Sequence, residues 1–278
     1  MPSFSLKNTI TQFFSTLFSL SEAHRFIQKY RLWIGFWKYG WVSKILIALA
    51  IIFGLNFFGI IFDWWGKIFS AENSSQAFAE MGTLVSNLAI ESYNFLFTGG
   101  LKYVIFLLLE VIIFHVCRRT MEILTKEQSD LTLNTFINAQ IRMFKVVIRC
   151  YIWEMIFYVG IMIFFGIFSS LDFLESTFVF INQCYFLGLL ILDNYNEQFH
   201  LTIKESFEFS KQFIGVSLAL GLFLNLMIYI PIVGTILGSM IAAVTVCLVM
   251  HSISDLHLRK NQEFHIPPIP QTKSDASI

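Results

Sequence analysis

The chain of 278 residues is 56% apolar and only 14% charged, with a mean hydropathy of +0.66. Soluble domains average about 25% charged residues, so this composition argues against a soluble domain and favours a chain that folds in lipid. Its 19 basic residues are balanced by 19 acidic ones. This balance argues against a nucleic-acid binder, because such proteins carry basic patches.

The first predicted elements are two amphipathic helices between residues 8 and 40. Residues 8–19 place apolar and polar side chains on opposite faces of a helix, as expected for a helix lying in the membrane interface. Ser21 is the expected N-cap of a second such helix, which carries basic and aromatic residues. The alternative is that this basic run is only a cationic anchor with an aromatic belt. The apolar face of the first helix comprises Ile10, Phe13, Phe14, Leu17 and Phe18, and the polar face comprises Thr9, Thr11, Gln12, Ser15, Thr16 and Ser19.

Two long apolar segments follow, at about residues 42–65 and 97–117. Each is long enough to cross a bilayer, which takes about 17–25 residues. Lys44 lies near the inner end of the first segment, where its long side chain can reach the interface. The second segment encloses Glu110 and His115 and ends at two consecutive arginines.

Residues 120–145 are polar and basic, and we expect them to form a cytoplasmic extension. An apolar hairpin over about residues 146–192 comes next, in which a short turn carries Asp172 and Glu175. These acidic residues favour a turn that reaches water on the far side of the membrane. Two local signals mark flanking helices: Glu122 and Lys126 one turn apart, and the capping box of Thr202 and Glu205, which opens a short amphipathic helix.

A second apolar hairpin covers residues 212–250, which contain no Asp, Glu, Lys, Arg or His. Pro231 falls at its midpoint, where a residue without an N–H ends one helix and opens another. Asn225 is expected to hydrogen-bond across to Thr235, Ser239 or Thr245. Residues 255–278 form a polar tail with little expected order. Small residues recur at four-residue spacing and allow close helix approach: Gly215/Ala219, Ser217/Gly221 and Gly234/Gly238/Ala242.

The basic residues collect on one side of these segments. Seventeen of the 19 precede the first span, lie between the second and third, or follow the fourth; the exceptions are Lys67 and Lys102. Basic residues are concentrated on the cytoplasmic side of membrane proteins. The sequence therefore predicts a multi-pass protein of the plasma (inner) membrane, or of the endoplasmic reticulum if eukaryotic, with both termini cytoplasmic.

Several short stretches occur in a characteristic order. The second long segment ends in RRTMEILTK, the first hairpin returns through YFLGLLILDNY, and the last turn reads YIPIVG. Across about residues 20–252 this order resembles the CysZ-like membrane proteins, which include the eukaryotic etoposide-induced proteins. The resemblance implies two long transmembrane helices and two helical hairpins that span the bilayer or enter it only partway.

Because bacterial CysZ is a sulfate permease, the resemblance implies a transporter or channel for a small inorganic anion such as sulfate. The family's Gly-Leu-Arg anion motif is not kept: this chain reads Tyr-Gly-Trp-Val-Ser-Lys over residues 39–44. The alternative is a membrane scaffold or interaction protein that moves no ion. Short hairpins need partners to enclose a polar path, so we expect a homo-oligomer.

Five residues form the candidate anion site. His115, Arg118 and Arg119 share one helical face, which could hold an anion at the cytoplasmic mouth, and Lys44 offers a point charge. Glu110 is costly inside a span and is therefore a functional candidate. The alternatives are that the arginines only mark the membrane boundary and that Glu110 serves packing.

The chain carries no phosphate-binding loop, HExxH or GxSxG motif, so we expect neither an enzyme nor a bound cofactor. His251, Asp255 and His257 lie where a helix leaves the membrane, without a further strong ligand, and no metal site is predicted. The four cysteines have no CxxC spacing and are expected to be buried thiols. The predicted fold is a single all-α membrane domain over residues 1–254, followed by the tail.

Overall fold

The computed structural model describes residues 5–34, 101–127, 133–228, 230 and 233–256. All regular structure within these ranges is helical, which confirms the predicted all-α class. The predicted span at 42–65, including Lys44, and most of the tail lie outside the described residues. The α-helices are α1 (Leu6–Tyr30), α2 (Leu101–Thr125), α3 (Leu133–Ile167), α4 (Glu175–Glu197), α5 (Ile203–Ser210), α6 (Ile214–Ile228) and α7 (Val233–Ile253).

Four helical stretches of the described chain are long and apolar enough to cross a membrane. They support the predicted membrane protein and match the two predicted hairpins, α3–α4 and α6–α7. α6 is 15 residues long, or about 22 Å at about 1.5 Å per residue. That is shorter than the roughly 30 Å hydrocarbon layer. The four stretches are Asn138–Ile167, Ser170–Glu197, Ile203–Ile228 and Gly234–Ile253.

α4 lies at the centre of the described bundle and packs against α2, α3, α5, α6 and α7. Its C-terminal half is buried almost all round from Cys184 to Asn196. The apolar segment predicted to end at Leu192 therefore continues as helix through Glu197. No glycine or proline interrupts the backbone there, and neighbouring helices cover the polar residues that follow.

Small residues bring the backbones of α4 and α6 into direct contact. A Cβ atom at Gly188 would lie 1.8 Å from the Ser217 carbonyl oxygen, and one at Gly221 would lie 1.7 Å from that of Cys184. Gly215 has the same relation to α1, where its Cβ would lie 2.1 Å from the Thr9 carbonyl oxygen. The predicted small-residue strip of α6 thus packs against two helices.

α1 differs from its prediction in two ways. It is one continuous helix rather than two, and the Ser21 side chain accepts a hydrogen bond from Arg25 at 3.2 Å instead of capping a new helix. The helix packs against α6 and α7, and two residues of the predicted polar face lie on that side. Thr16 is buried, and the Gln12 amide donates to the Gln212 carbonyl at 2.9 Å. The apolar side chains Leu6, Ile10, Phe14 and Phe18 are exposed, as suits a helix whose outer surroundings are lipid.

The predicted polar extension at 120–145 is divided between two helices. α2 ends at Thr125, and Lys126 adopts a left-handed backbone with φ of 59°. Lys126 therefore lies beyond the helix, so the predicted helical pairing one turn from Glu122 is wrong. α3 begins at Leu133, which makes it 35 residues long and extends it well before the predicted start at 146.

The α6–α7 hairpin agrees with the predicted hairpin at 212–250, although Pro231 itself lies outside the described residues. The Asn225 prediction is wrong in its partners. The Asn225 amide donates to the Gly221 carbonyl of its own helix at 2.9 Å and to the Cys184 sulfur of α4 at 3.4 Å. It therefore connects α6 to α4 rather than to α7. All four cysteines are buried free thiols, as predicted.

Candidate functional site

Four of the five predicted site residues lie along α2. Glu110 is fully buried, His115 is partly buried, and Arg118 and Arg119 lie one turn further toward the end of the helix. The fifth, Lys44, lies outside the described residues. Glu110 is therefore separated from the arginines by two helical turns, because eight residues of α-helix rise about 12 Å.

Both arginines contact one carboxylate. Arg118 lies 3.2 Å and Arg119 2.9 Å from the oxygens of Glu122. The Arg118 side chain is 13% exposed and that of Arg119 is 55% exposed. The three charges sum to one positive charge at the end of α2, so this group still attracts an anion from water. The Glu122 carboxylate, which contacts both arginines, weakens this attraction.

A second polar cluster centres on Arg142 of α3. Its guanidinium donates to both oxygens of Asp193 on α4, at 2.9 and 3.3 Å, and to the Leu201 carbonyl. Glu197 lies 3.9 Å from the same guanidinium. A two-pronged contact of this kind is the strongest arrangement that an arginine makes with a carboxylate. It fixes α3 against the end of α4.

The short helix α5 completes this cluster. Thr202 and Glu205 form the predicted capping box, with hydrogen bonds in both directions. The capped helix directs Ser206 into the bundle, where its hydroxyl donates to Asp193. The Asn196 amide donates to the hydroxyls of Ser206 and Ser210, at 2.9 and 3.0 Å. The local capping signal thus positions two buried serines.

Glu110 forms a third polar contact, deeper in the bundle. Its Oε2 accepts a hydrogen bond from the Asn194 amide at 3.2 Å. The same amide donates to the Leu190 carbonyl at 3.2 Å. Asn194 therefore links α2 to α4 at a position that both helices shield from water, since it is 1% exposed.

These contacts unite residues that the sequence-based site omitted. The missing members are Arg142, Asp193, Asn194, Asn196 and Glu197. A usable signal was present: the run DNYNE follows an apolar stretch with no helix-ending residue between them, so the helix should continue and carry these side chains into the membrane domain. The predicted hairpin ended at residue 192 and therefore left these side chains outside it.

Acidic groups outnumber basic ones at the buried centre. Arg142 is accompanied by Asp193 and Glu197, and Glu110 has no ion-pair partner among the described residues. No group of three His, Cys, Asp or Glu side chains in the described ranges could hold a metal ion. The centre therefore offers mainly oxygen acceptors.

No family model, curated protein or solved structure matches the chain. The resemblance to CysZ-like proteins therefore stays a prediction from the order of its sequence segments.

Proposed function

We propose that this integral membrane protein moves a small inorganic anion, such as sulfate, across the bilayer as a transporter or channel. The observation that carries the proposal is the group of charged and polar side chains buried in an otherwise apolar helical bundle. The resemblance to CysZ-like proteins supplies the substrate class. We place it in the plasma (inner) membrane as a homo-oligomer with both termini cytoplasmic.

The cost of burying charge supports a role in ion movement. An ionisable side chain at the centre of a membrane helix costs about 2.5–3.5 kcal/mol on insertion scales, and such residues often line ion pathways. Arg118 and Arg119 bring positive charge to the end of α2, and guanidinium groups fit oxyanions well. In this proposal they attract the anion to the cytoplasmic mouth.

The second candidate is a membrane scaffold that moves no ion. The observation that favours it is that the arginines already contact internal carboxylates. Arg118 and Arg119 contact Glu122, and Arg142 contacts Asp193. A network of ion pairs that only stabilises the fold would contain the same contacts.

Flux measurements on the full chain separate the two candidates. We expect proteoliposomes loaded with the purified protein to take up radiolabelled sulfate faster than empty liposomes. Arg118→Ala should slow this uptake several-fold. Lys211→Ala is the matched control, because it removes a cation from the exposed surface pair with Glu208 (61% and 62% exposed). It should leave uptake unchanged.

Two results would contradict transport. Vesicles that stay impermeable to sulfate, phosphate, nitrate and chloride would favour the scaffold. Uptake that falls equally in Arg118→Ala and Lys211→Ala would show that the loss of any positive charge, rather than the α2 arginines, accounts for the effect.

A further inference from the structure

Two oxygens at the contact between α2 and α4 are buried and have no hydrogen-bond partner among the described residues. They are Oε1 of Glu110, a residue with no exposed surface, and Oδ1 of Asn194, which is 1% exposed. The other half of each side chain is engaged, because Nδ2 of Asn194 donates to Oε2 of Glu110. Nδ2 also donates to the Leu190 carbonyl, which fixes the amide orientation with Oδ1 as the free atom.

The charges near Glu110 repel it. The charged groups that act on it are Glu197 and Asp193 of α4, both of the same sign, while Cys117 of its own helix is a further titratable neighbour. On α7, Cys247 adjoins Cys117 and donates to its carbonyl. On α3, Arg142 is engaged by Asp193 and the Leu201 carbonyl. Within the described residues, Glu110 therefore has no compensating cation.

Buried oxygen acceptors of this kind require a partner that brings a hydrogen or a positive charge. An anion is excluded at this point because it would meet a carboxylate and two repelling neighbours. Carboxylate and amide oxygens are ligands for hard cations rather than for softer transition metals. A neutral donor would leave the charge of the carboxylate uncompensated. Because one carboxylate balances one positive charge, the fitting ligand is a small monovalent cation.

We propose that Glu110 and Asn194 form a binding site for one small monovalent cation, a proton or an alkali metal ion. Only the role of the bound cation in transport rests on the proposed function. An anion that enters a cell of negative internal potential moves against the electrical force on it, and a cation bound in the same cycle offsets part of its charge. The site itself requires only the buried geometry.

Binding can be measured without any transport. Heating the full chain in detergent exposes its buried cysteines to a thiol-reactive dye, which reports the Tm. We expect Na⁺ or Li⁺ to raise the Tm with a saturating dependence, relative to choline at equal ionic strength, if an alkali ion is the ligand. If a proton is the ligand, alkali ions have no effect, and infrared difference spectra between acidic and basic buffer contain a band from a buried carboxylic acid.

The nearly isosteric Glu110→Gln should abolish the rise in Tm with alkali ions, or remove from the infrared spectrum the band that Glu110 contributes, whichever response the native chain gives. Glu208→Gln removes an exposed carboxylate and should keep that response in full. Asn194→Ala is a second variant, for use where Glu110→Gln fails to fold; it should respond only at higher cation or proton concentration. The proposal would be overturned if the native chain, Glu110→Gln and Asn194→Ala all responded identically to every cation and to pH.

The cation-binding experiment and the transport experiment can give opposite results. Cation binding in a protein that moves no anion would leave the Glu110 site in place and remove only the proposed function. Anion flux in a protein whose stability and spectra ignore cations, pH and Glu110→Gln would retain transport and reject the cation site.

Discussion

Arg142 is the residue on which contacts from three parts of the chain converge. It belongs to α3, its main partner Asp193 belongs to α4, and its third acceptor is the Leu201 carbonyl in the link to α5. Asp193 is 2% exposed. A charge buried to this extent is tolerated only while its partner is present. The pair therefore specifies how these helices meet.

Removing one member of this pair should be more harmful than removing both. Arg142→Leu leaves Asp193 buried without its cation, and breaking a buried pair in this way costs about 3–5 kcal/mol. The double variant Arg142→Leu with Asp193→Asn should regain part of that loss, because no unpaired charge remains. Thermal unfolding in detergent, followed by the reactivity of the four buried cysteines, measures both.

The surface pair of Lys211 and Glu208 provides the control. Both side chains are more than half exposed, where water screens the attraction. Lys211→Ala should leave the Tm almost unchanged. If Arg142→Leu lowered the Tm no more than Lys211→Ala does, the Arg142–Asp193 pair would not hold the helices together.

At the level of the helices, one local signal was correct and two were not, since the Ser21 N-cap and the helical pairing of Glu122 with Lys126 are absent. The capping box at Thr202 and Glu205 was correct because both partners lie within one turn of the chain. The length of α4 was missed because its polar end is stabilised by contacts with Arg142 and Ser206, which are distant in sequence. Glu110 was identified from its cost in a membrane, but its partner Asn194 depends on how α2 and α4 pack.

α1 illustrates a different limit. Residues 8–19 form a helix, as the amphipathic pattern predicted. The pattern does not say which face meets the protein. In water an apolar face would be buried, but here Thr16 and Gln12 face the bundle and Phe14 and Phe18 are exposed. Whether the surroundings are water or lipid decides which face of the helix is buried, and the sequence of one helix does not show which of the two surrounds it.

The crossing of α4 and α6 should be intolerant of even one added methyl group. At Gly221 a Cβ would lie 1.7 Å from a backbone oxygen, which cannot move aside as a side chain would. Gly221→Ala must therefore separate the helices, and overpacking costs typically about 1–3 kcal/mol. We expect a clear fall in Tm and a weaker contact between Asn225 and Cys184.

Gly160→Ala is the matched control for this substitution. Apart from its two chain neighbours and the backbone of its own helix, no atom of the described residues lies within 4 Å of the position that its Cβ would occupy on α3. Because alanine favours helix over glycine by up to about 1 kcal/mol, this variant should be as stable as the native chain or more so. Equal losses in Gly160→Ala and Gly221→Ala would mean that close packing of α4 on α6 does not limit stability.

In the described bundle, the first part of α1 lies beside the start of α6, and the end of α7 lies beside the end of α4. Gln12 of α1 contacts the carbonyl of Gln212, just before α6. Tyr195, near the end of α4, shares a hydrogen bond with Ser254 at 2.9 Å, just after α7. This arrangement agrees with the distribution of basic residues, which predicts both termini on the cytoplasmic side.

Single-cysteine labelling in sealed vesicles tests this topology. The native cysteines are all buried, so a membrane-impermeant maleimide should leave the unmodified chain unlabelled. Lys7→Cys and Asp255→Cys change exposed positions near the two ends of the described chain. Both variants should react from the same side of the vesicle. Labelling from opposite sides would refute the prediction that both termini are cytoplasmic.

The same experiment measures how deeply the α3–α4 hairpin enters the membrane. Asp172 is exposed in the turn between these helices, and a carboxylate is expensive to keep within lipid. α3 has 35 residues and α4 has 23, so both exceed the minimum of about 17 for a full crossing. Asp172→Cys should therefore react only from the face opposite to Lys7→Cys. Reaction from the same face, or protection from both faces, would mean that the hairpin enters only partway, and the acidic turn would then need protein partners inside the membrane.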